Sequence, residues 1–353
     1  MPRNQGLVGI DVAYIIALFG TMFVTLFFVI GDRQFFLEHT SYYVFLDFFP
    51  ALLFFLSGFT LALSLRDRKT SSRRKLSNSA KKGSILMLIG FLFVGSWGMN
   101  AFVALGTFYI VGGLIGQWSN FFLRTMAVGI LFFSVVSINF EVPTYPLYSA
   151  MKMQGANMKD LVGYIFFNGY FSFLPWFGFF LMGLIFGRGD VRPNGWFPPS
   201  SFAGAALVAI SVAAEIYSQK LYAPSPSWNS VAIYPINIKY FLPSFVLLQS
   251  GVCILFLNAM NYIFRKSKNK ALNDTSRKLV EAKYSIYFLM LLIGTIILNL
   301  FNLIIFKQSL ILIILNSLIC ILCYYGLMLW KRNMTITTPI EWLIKRISSS
   351  TRS

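Results

Sequence analysis

The chain is poor in charge and in the residues that bind metals. Only 12% of its 353 residues are charged and 57% are hydrophobic, whereas a soluble protein carries about 25% charged residues. This composition excludes a soluble globular domain. One histidine and three cysteines are present. Cys320 and Cys323 share a face of an apolar stretch without the polar access that a zinc or redox pair needs, so we interpret them as packing residues and expect no metal.

Long apolar runs occupy most of the sequence. Each has the length that a helix needs to cross a bilayer. They predict an all-α, polytopic membrane bundle of about ten transmembrane helices, forming a single transmembrane domain over residues 1–353. The predicted spans are approximately 7–30, 43–65, 84–98, 101–116, 121–138, 175–187, 201–217, 241–264, 284–305 and 310–330.

Basic residues fall unequally between the loops that join these spans. With the N-terminus in the cytoplasm, 24 of the 30 Lys and Arg lie on the cytoplasmic side and 6 on the outer side. This positive-inside pattern predicts that both termini are cytoplasmic. It makes 66–83 and 265–283 inner loops and 331–353 a basic cytoplasmic tail. The net charge of +18 therefore indicates topology and contact with anionic membrane lipid rather than nucleic-acid binding.

His39 is the only histidine in the chain and is predicted to lie on the outer side. A loop histidine is often just a solvated residue. However, Asp47 follows eight residues later at the start of the second span, and a carboxylate can hold an imidazole in one tautomer and orientation. An imidazole can act as a general base or carry an acyl group. We therefore take His39 and Asp47 as a candidate catalytic pair, with Asp47 in the orienting role.

Two further features allow either a structural or a functional interpretation. Asp11, at the inner end of the first span, could pair with Arg3 or a loop lysine, or it could fix the mouth of a cytoplasmic cofactor site. Gly112 and Gly116 form a small-xxx-small face that predicts close helix packing. A narrow passage for a long cofactor tail is the functional alternative.

Three stretches resemble the heparan-α-glucosaminide N-acetyltransferase-type membrane proteins and their bacterial relatives. The first is Gly9-Ile10-Asp11-Val12-Ala13, and the second runs from Glu38-His39-Thr40 through Asp47-Phe48-Phe49-Pro50 to Gly58. The third comprises 174–188 and the tail Pro339-Ile340-Glu341-Trp342-Leu343. The chain departs from the family pattern at Tyr14 and Ile15, where members have Arg and Gly, and at Thr25, where a polar Asn or His is common.

The resemblance implies a transmembrane acyltransferase that takes acetyl-CoA, or another acyl-CoA, from the cytoplasm. It would acetylate an extracytoplasmic sugar or lipid-linked acceptor, with His39 as the catalytic histidine. The phosphates of the donor would meet the basic inner face, and a bacterial plasma membrane would be the location. The candidate cofactor-binding residues on that face are Asp11, Arg66, Arg68, Arg73, Arg74, Lys81 and Lys82.

A non-catalytic membrane protein with the same fold is the alternative. It would be a transporter or a subunit that works with a protein partner or as a homo-oligomer. His39 separates the two hypotheses, because an acyltransferase needs it and a transporter should tolerate Gln there.

Overall fold

All regular structure in the described part of the chain is helical. The computed structural model describes residues 8–30, 47–66, 71–93, 100–138, 171, 173–189, 198–221, 243–264, 270–301 and 339–349, with six further residues between 318 and 326. In chain order the helices are α1 (Val8–Ile30), α2 (Phe48–Leu65), α3 (Ser72–Phe91), α4 (Ala101–Ile115), α5 (Asn120–Ile138), α6 (Phe173–Arg188), α7 (Pro198–Leu221), α8 (Pro243–Phe264), α9 (Lys270–Glu281), α10 (Lys283–Phe301) and α11 (Pro339–Ser349). The prediction of an all-α protein is confirmed for these residues.

Among the described residues, three helices are long and apolar enough to cross a membrane. They are Val8–Thr25 within α1, Phe48–Leu65, which is the whole of α2, and Val246–Phe264 within α8. Shorter apolar segments occur in α4, α6, α7 and α10. By length and composition, these helices indicate a membrane protein.

Two basic segments predicted to be loops are partly helical. Within 66–83, α3 begins at Ser72, and the Ser71 side chain caps it by accepting a hydrogen bond from the Arg74 N–H at 3.4 Å. Within 265–283, α9 covers Lys270–Glu281. The loop predictions were wrong because they gave most weight to charge, although Lys and Arg are good helix formers. The predicted tail 331–353 also contains a helix, α11.

The chain forms two compact units. The first comprises Met1–Leu53 and Ala259–Ser353. In this unit α1 packs against α9 and α10, and α10 contacts α11. A Cβ atom at Gly9 would lie 2.6 Å from the Met260 carbonyl oxygen, so the start of α1 approaches the end of α8 backbone to backbone. The Lys283 ammonium lies 3.8 Å from the centre of the buried Tyr14 ring, in a cation–π contact between α10 and α1.

The second unit, Phe54–Asn258, contains a tight hairpin of α3 and α4. Gly83 lies against Gly106, and Gly90 lies against Val103. Positions that rise along one helix fall along the other, so the pair is antiparallel. Asn100 fixes the turn end. Its side chain accepts the N–H groups of α4's first turn and donates to the Gly90 carbonyl at 2.9 Å, which satisfies free backbone groups at two helix ends.

In the same unit α2 and α6 cross at glycines. A Cβ on Gly183 would lie 2.7 Å from the Phe55 carbonyl carbon, and one on Gly58 would lie 2.8 Å from the Phe180 carbonyl carbon. Such an approach is possible only without side chains. Beside the crossing, aromatic rings fill the core. Phe108 on α4 contacts aromatic rings of two other helices: Phe54 on α2, and Phe173, Phe177 and Phe180 on α6.

Candidate functional site

Asp47 lies directly before α2 and is almost fully buried. Its residue is 3% exposed. Its backbone carbonyl accepts the Ala51 N–H at 3.1 Å, which closes the first turn of the helix. Pro50 is tolerated in this turn because the N–H groups there have no partner within the helix. A carboxylate at this position is favoured by the helix dipole, so the sequence explains both where α2 begins and why an acid precedes it.

The start of α2 is held against α1 in the first unit. A Cβ on Gly20 would lie 2.7 Å from the Cβ of Phe49, two residues after Asp47. Beside Gly20 and one turn further along α1, the hydroxyl groups of Thr21 and Thr25 donate to the carbonyls of Ala17 and Thr21 at 2.6 and 2.7 Å. These threonines therefore satisfy their hydroxyls within α1. Asp47 is thus buried beside a packed helix start rather than exposed.

His39 lies outside the described residues, as does Arg68. The pairing of His39 with Asp47 stays a prediction, and so does the place of Arg68 on the inner face. For this predicted pair, the structure shows that the residue Asp47 is almost fully buried.

Basic side chains at the far end of α2 cap the ends of several helices in the second unit. Arg66 donates through Nη1 to the Gly189 carbonyl at 2.8 Å, just after α6. Lys75 donates through Nζ to the Leu65 carbonyl at 2.6 Å, at the end of α2. Carbonyls at a helix C-terminus lack partners within the helix and carry partial negative charge. Arg66 therefore has a structural role beside the ligand role predicted for it.

Arg188 makes the most extensive of these caps. It donates to the Gly116 carbonyl, to the Trp118 carbonyl at 2.6 Å and to Asn120 Oδ1 at 2.9 Å. These groups belong to the end of α4 and the start of α5, so one guanidinium ties α6 to the turn between two other helices. The fork of donors on arginine suits such multiple recognition.

Four predicted cofactor-binding residues lie on α3. Arg73 and Arg74 are exposed in its first turn, where a phosphate could reach both guanidinium groups and backbone N–H groups. Lys81 and Lys82 are half-buried further along. The Lys82 ammonium lies 3.7 Å from the centre of the Tyr109 ring, a cation–π contact that anchors it to α4. The helix thus separates an exposed arginine pair from lysines that pack against its neighbour.

Asp11 lies in the first turn of α1, in the first unit. It is partly exposed, and one turn later Tyr14 carries the Lys283 ammonium on its ring. A carboxylate in a first turn is stabilised by the helix dipole. This position accords with the structural interpretation of Asp11. Its predicted role at a cofactor mouth stays a prediction.

Gly112 and Gly116 pack closely, as their spacing predicts. A Cβ on Gly112 would lie 2.9 Å from Phe180 Cζ and 3.1 Å from Leu61 Cδ2, and one on Gly116 would lie 2.5 Å from Leu65 Cδ1. Side chains of α2 and α6 thus fill the space over this glycine face. The passage for a cofactor tail does not run along it.

Sequence reasoning missed three residues that cap distant helices: Lys75, Arg188 and Glu341. Glu341, on α11 in the first unit, is buried and accepts the N–H groups of Tyr284 and Ser285 at 2.8 and 3.1 Å. The Ser285 hydroxyl donates to the other carboxylate oxygen. Ala282, before α10, has no side-chain acceptor, so Glu341 serves as the cap. A lone acid in a basic tail was the sequence feature that could have indicated this role.

Within the described ranges, no cluster of three or more His, Cys, Asp or Glu side chains could hold a metal ion. Comparison of the chain with protein-family models, curated proteins and solved structures gave no match. In its described part the chain is all-helical, with three helices apolar enough to cross a membrane, and these features define the class of membrane protein.

Proposed function

We propose that this protein is a polytopic transmembrane acyltransferase that moves an acyl group from cytoplasmic acyl-CoA to an extracytoplasmic sugar or glycolipid. The observation that carries the proposal is the arrangement along α2. A buried carboxylate, Asp47, precedes this apolar helix, and basic residues follow it. An α-helix of 18 residues is about 27 Å long, close to the roughly 30 Å of a bilayer's hydrocarbon core.

The proposal includes the topology predicted from the basic residues. About ten spans with both termini in the cytoplasm place Arg66 inside and Asp47 outside. The 24-to-6 division of Lys and Arg supports this orientation. The membrane would be the plasma membrane of a bacterium, which is the setting of the relatives that the sequence resembles.

On the inner side, the exposed Arg73 and Arg74 would bind the phosphates of acyl-CoA. Their position in the first turn of α3 supports this role, because guanidinium groups and free helix N–H groups both favour phosphate. Arg66 and Lys75 already donate hydrogen bonds to helix ends. They would therefore attract the phosphates of acyl-CoA only through their positive charge.

On the outer side, His39 would be the catalytic residue and Asp47 would position it. As a general base, the imidazole takes a proton from the acceptor's hydroxyl or amine while that atom bonds to the acyl carbon. The acyl–sulfur bond breaks, and CoA leaves as the thiol. As an acyl carrier, the imidazole would bond to the acyl carbon first and then release it to the acceptor.

Measured transfer by His39 variants tests the proposal. Purified protein in lipid receives radiolabelled acetyl-CoA and a mixture of amino sugars and glycolipids, and labelled product and free CoA are quantified. His39→Ala should lower the rate about 10²–10⁴-fold, the usual contribution of a general base. His39→Gln should be equally inactive. Asp47→Asn should retain more activity than either, because it loses orientation rather than the base.

Two outcomes would contradict the proposal. One is a His39→Ala variant that retains more than about a tenth of the activity, well outside the range for a general base. The other is a parent protein that binds no CoA ester and transfers no acyl group, which would favour the transporter or partner-subunit alternative.

A further inference from the structure

The C-terminal helix α11 has two unlike faces. Ile340 and Glu341 are buried against the first unit. Trp342 is 41% exposed and Leu343 is 37% exposed. The exposed Arg346 lies beside them, with its guanidinium carbon 4.9 Å from the centre of the Trp342 ring. A short helix with a buried acid and an exposed Trp, Leu and Arg is amphipathic, but its outward face is not purely polar.

Glu341 sets the level of α11 along α10. Its carboxylate accepts hydrogen bonds from Tyr284 and Ser285, and the Ile340 N–H donates to the Ser285 hydroxyl at 3.3 Å. The apolar sequence of α10 begins at the next residue, Ile286. The exposed face of α11 therefore lies where the polar start of α10 gives way to its apolar part. Trp and Arg are enriched at that level, because each has an apolar body and a polar tip.

Basic residues outnumber acidic ones in the sequence of this C-terminal segment. Residues 331–353 contain five basic residues and one acid, Glu341, which is turned toward α10. In the same unit, α9 carries exposed Arg277 and Lys278, of which Arg277 pairs with Glu281 at 3.0 Å. A partner for this face should combine an apolar layer with negative charge. Anionic phospholipid has both, since its headgroup lies directly above its acyl chain.

We propose that α11 is an interfacial helix whose Trp342, Leu343 and Arg346 face lies in the anionic lipid surface of the protein's own membrane. Glu341 holds it at that depth by its hydrogen bonds to α10. The binding is to lipid headgroup and upper acyl chain together, so it is specific for position in the bilayer and for lipid charge. This inference goes beyond acyl transfer and does not depend on it.

Fluorescence of Trp342 tests the proposal. The full-length protein is placed in nanodiscs of phosphatidylcholine with or without phosphatidylglycerol, either lipid being brominated near the upper acyl chain. The emission of Trp342 is obtained by subtracting the fluorescence spectrum of Trp342→Phe from that of the parent protein. This substitution is a conservative change at a partly exposed site. This emission should be blue-shifted and quenched by brominated lipid, more strongly when phosphatidylglycerol carries the bromine.

Arg346→Gln should reduce the preference for brominated phosphatidylglycerol about fivefold, the usual effect of one basic residue near an anionic surface. Arg124→Gln, at an exposed arginine of α5, is the matched control and should leave the preference unchanged. Glu341→Ala should weaken quenching by both lipids, because α11 loses the contacts that fix its depth.

Three results would overturn the proposal. The first is Trp342 emission typical of water and unaffected by bromine. The second is blue-shifted emission that neither lipid quenches, which would indicate a second copy of the chain or another protein over this face. The third is equal quenching by both lipids, which would remove the role of negative charge.

Discussion

Replacement of Gly183 by Ala should strongly destabilise the second unit. The added Cβ would lie 2.7 Å from the carbonyl carbon of Phe55 and 3.0 Å from its Cα, whereas ordinary contacts begin at 3.4 Å. The atoms in the way belong to the backbone of α2, so no side-chain rotation relieves the overlap. The two helices must move apart along the crossing, which also contains Gly58 and Gly187.

The size of the effect follows from two opposing terms. Overpacking of a close-packed core costs about 1–3 kcal/mol, and backbone overlap belongs at the upper end of that range. Ala in place of Gly within a helix recovers about 1 kcal/mol. Gly129→Ala on α5 measures the helix-propensity gain alone, because a Cβ at Gly129 meets nothing within 4 Å. The helix-propensity gain is common to Gly183→Ala and Gly129→Ala and cancels, so their stabilities should differ by the overpacking term alone, about 2–3 kcal/mol in favour of Gly129→Ala.

Apparent melting temperatures in one detergent at one scan rate would measure the difference, with tryptophan fluorescence as the probe. Gly183→Ala should melt at least about 3 °C below Gly129→Ala, because the unfolding entropy is about 2.1 cal/mol/K per residue. Gly58→Ala, at the other side of the crossing, should behave like Gly183→Ala. Equal melting temperatures for the Gly183 and Gly129 variants would refute the close crossing of α2 and α6.

Three other predictions concern topology, the donor site and a helix cap. A maleimide that cannot cross membranes should label Ser227→Cys but not Ser72→Cys in intact cells, and labelling at Ser72 would reverse the proposed orientation. The double variant Arg73→Gln, Arg74→Gln should bind acyl-CoA about three- to fivefold more weakly at low salt, as expected for exposed charge pairs. Unchanged affinity would show that this turn is not part of the donor site. Arg188→Gln should lower stability by roughly 1–3 kcal/mol, because the acceptors at the turn between α4 and α5 lose a charged donor, and a melting temperature equal to that of Arg124→Gln would show that the cap contributes little.

Helix positions were predictable from the sequence where an apolar run ends at a strong local boundary. The predicted span 101–116 is α4, Ala101–Ile115, because Asn100 is a good N-cap and a glycine follows the helix. The predicted span 241–264 is α8, Pro243–Phe264, since a proline starts it. Local chemistry was sufficient at these ends.

The basic half of α3 and the whole of α9 were not predicted as helices, because charge suggested a loop. In both, the buried positions recur at helical spacing, such as Ser276 and Val280 in α9. A short amphipathic pattern among many charges is weak evidence beside neighbouring apolar runs of membrane length. Periodicity within the basic segments, rather than hydropathy, was the informative feature.

The partners of the caps made by Arg188 and Glu341 could not be predicted, because each cap joins helices far apart in the sequence. Arg188 reaches Gly116, and Glu341 reaches Ser285. The sequence shows which helix ends lack a local hydrogen-bonding partner. Which distant side chain provides that partner depends on tertiary packing. For the candidate site, the sequence predicted Asp47 as a polar residue at a helix start, and its near-complete burial came from the structure.

The sidedness of acyl transfer tests the central claim most directly. Oriented proteoliposomes receive radiolabelled acetyl-CoA on the side of Arg73 and Arg74 only, and an amino-sugar acceptor is enclosed on the other side. Transfer across the membrane should give labelled acceptor in the lumen of vesicles with the parent protein, none with His39→Ala, and no product when donor and acceptor are exchanged between the two sides. Product that forms only when donor and acceptor share one side would contradict transfer across the membrane.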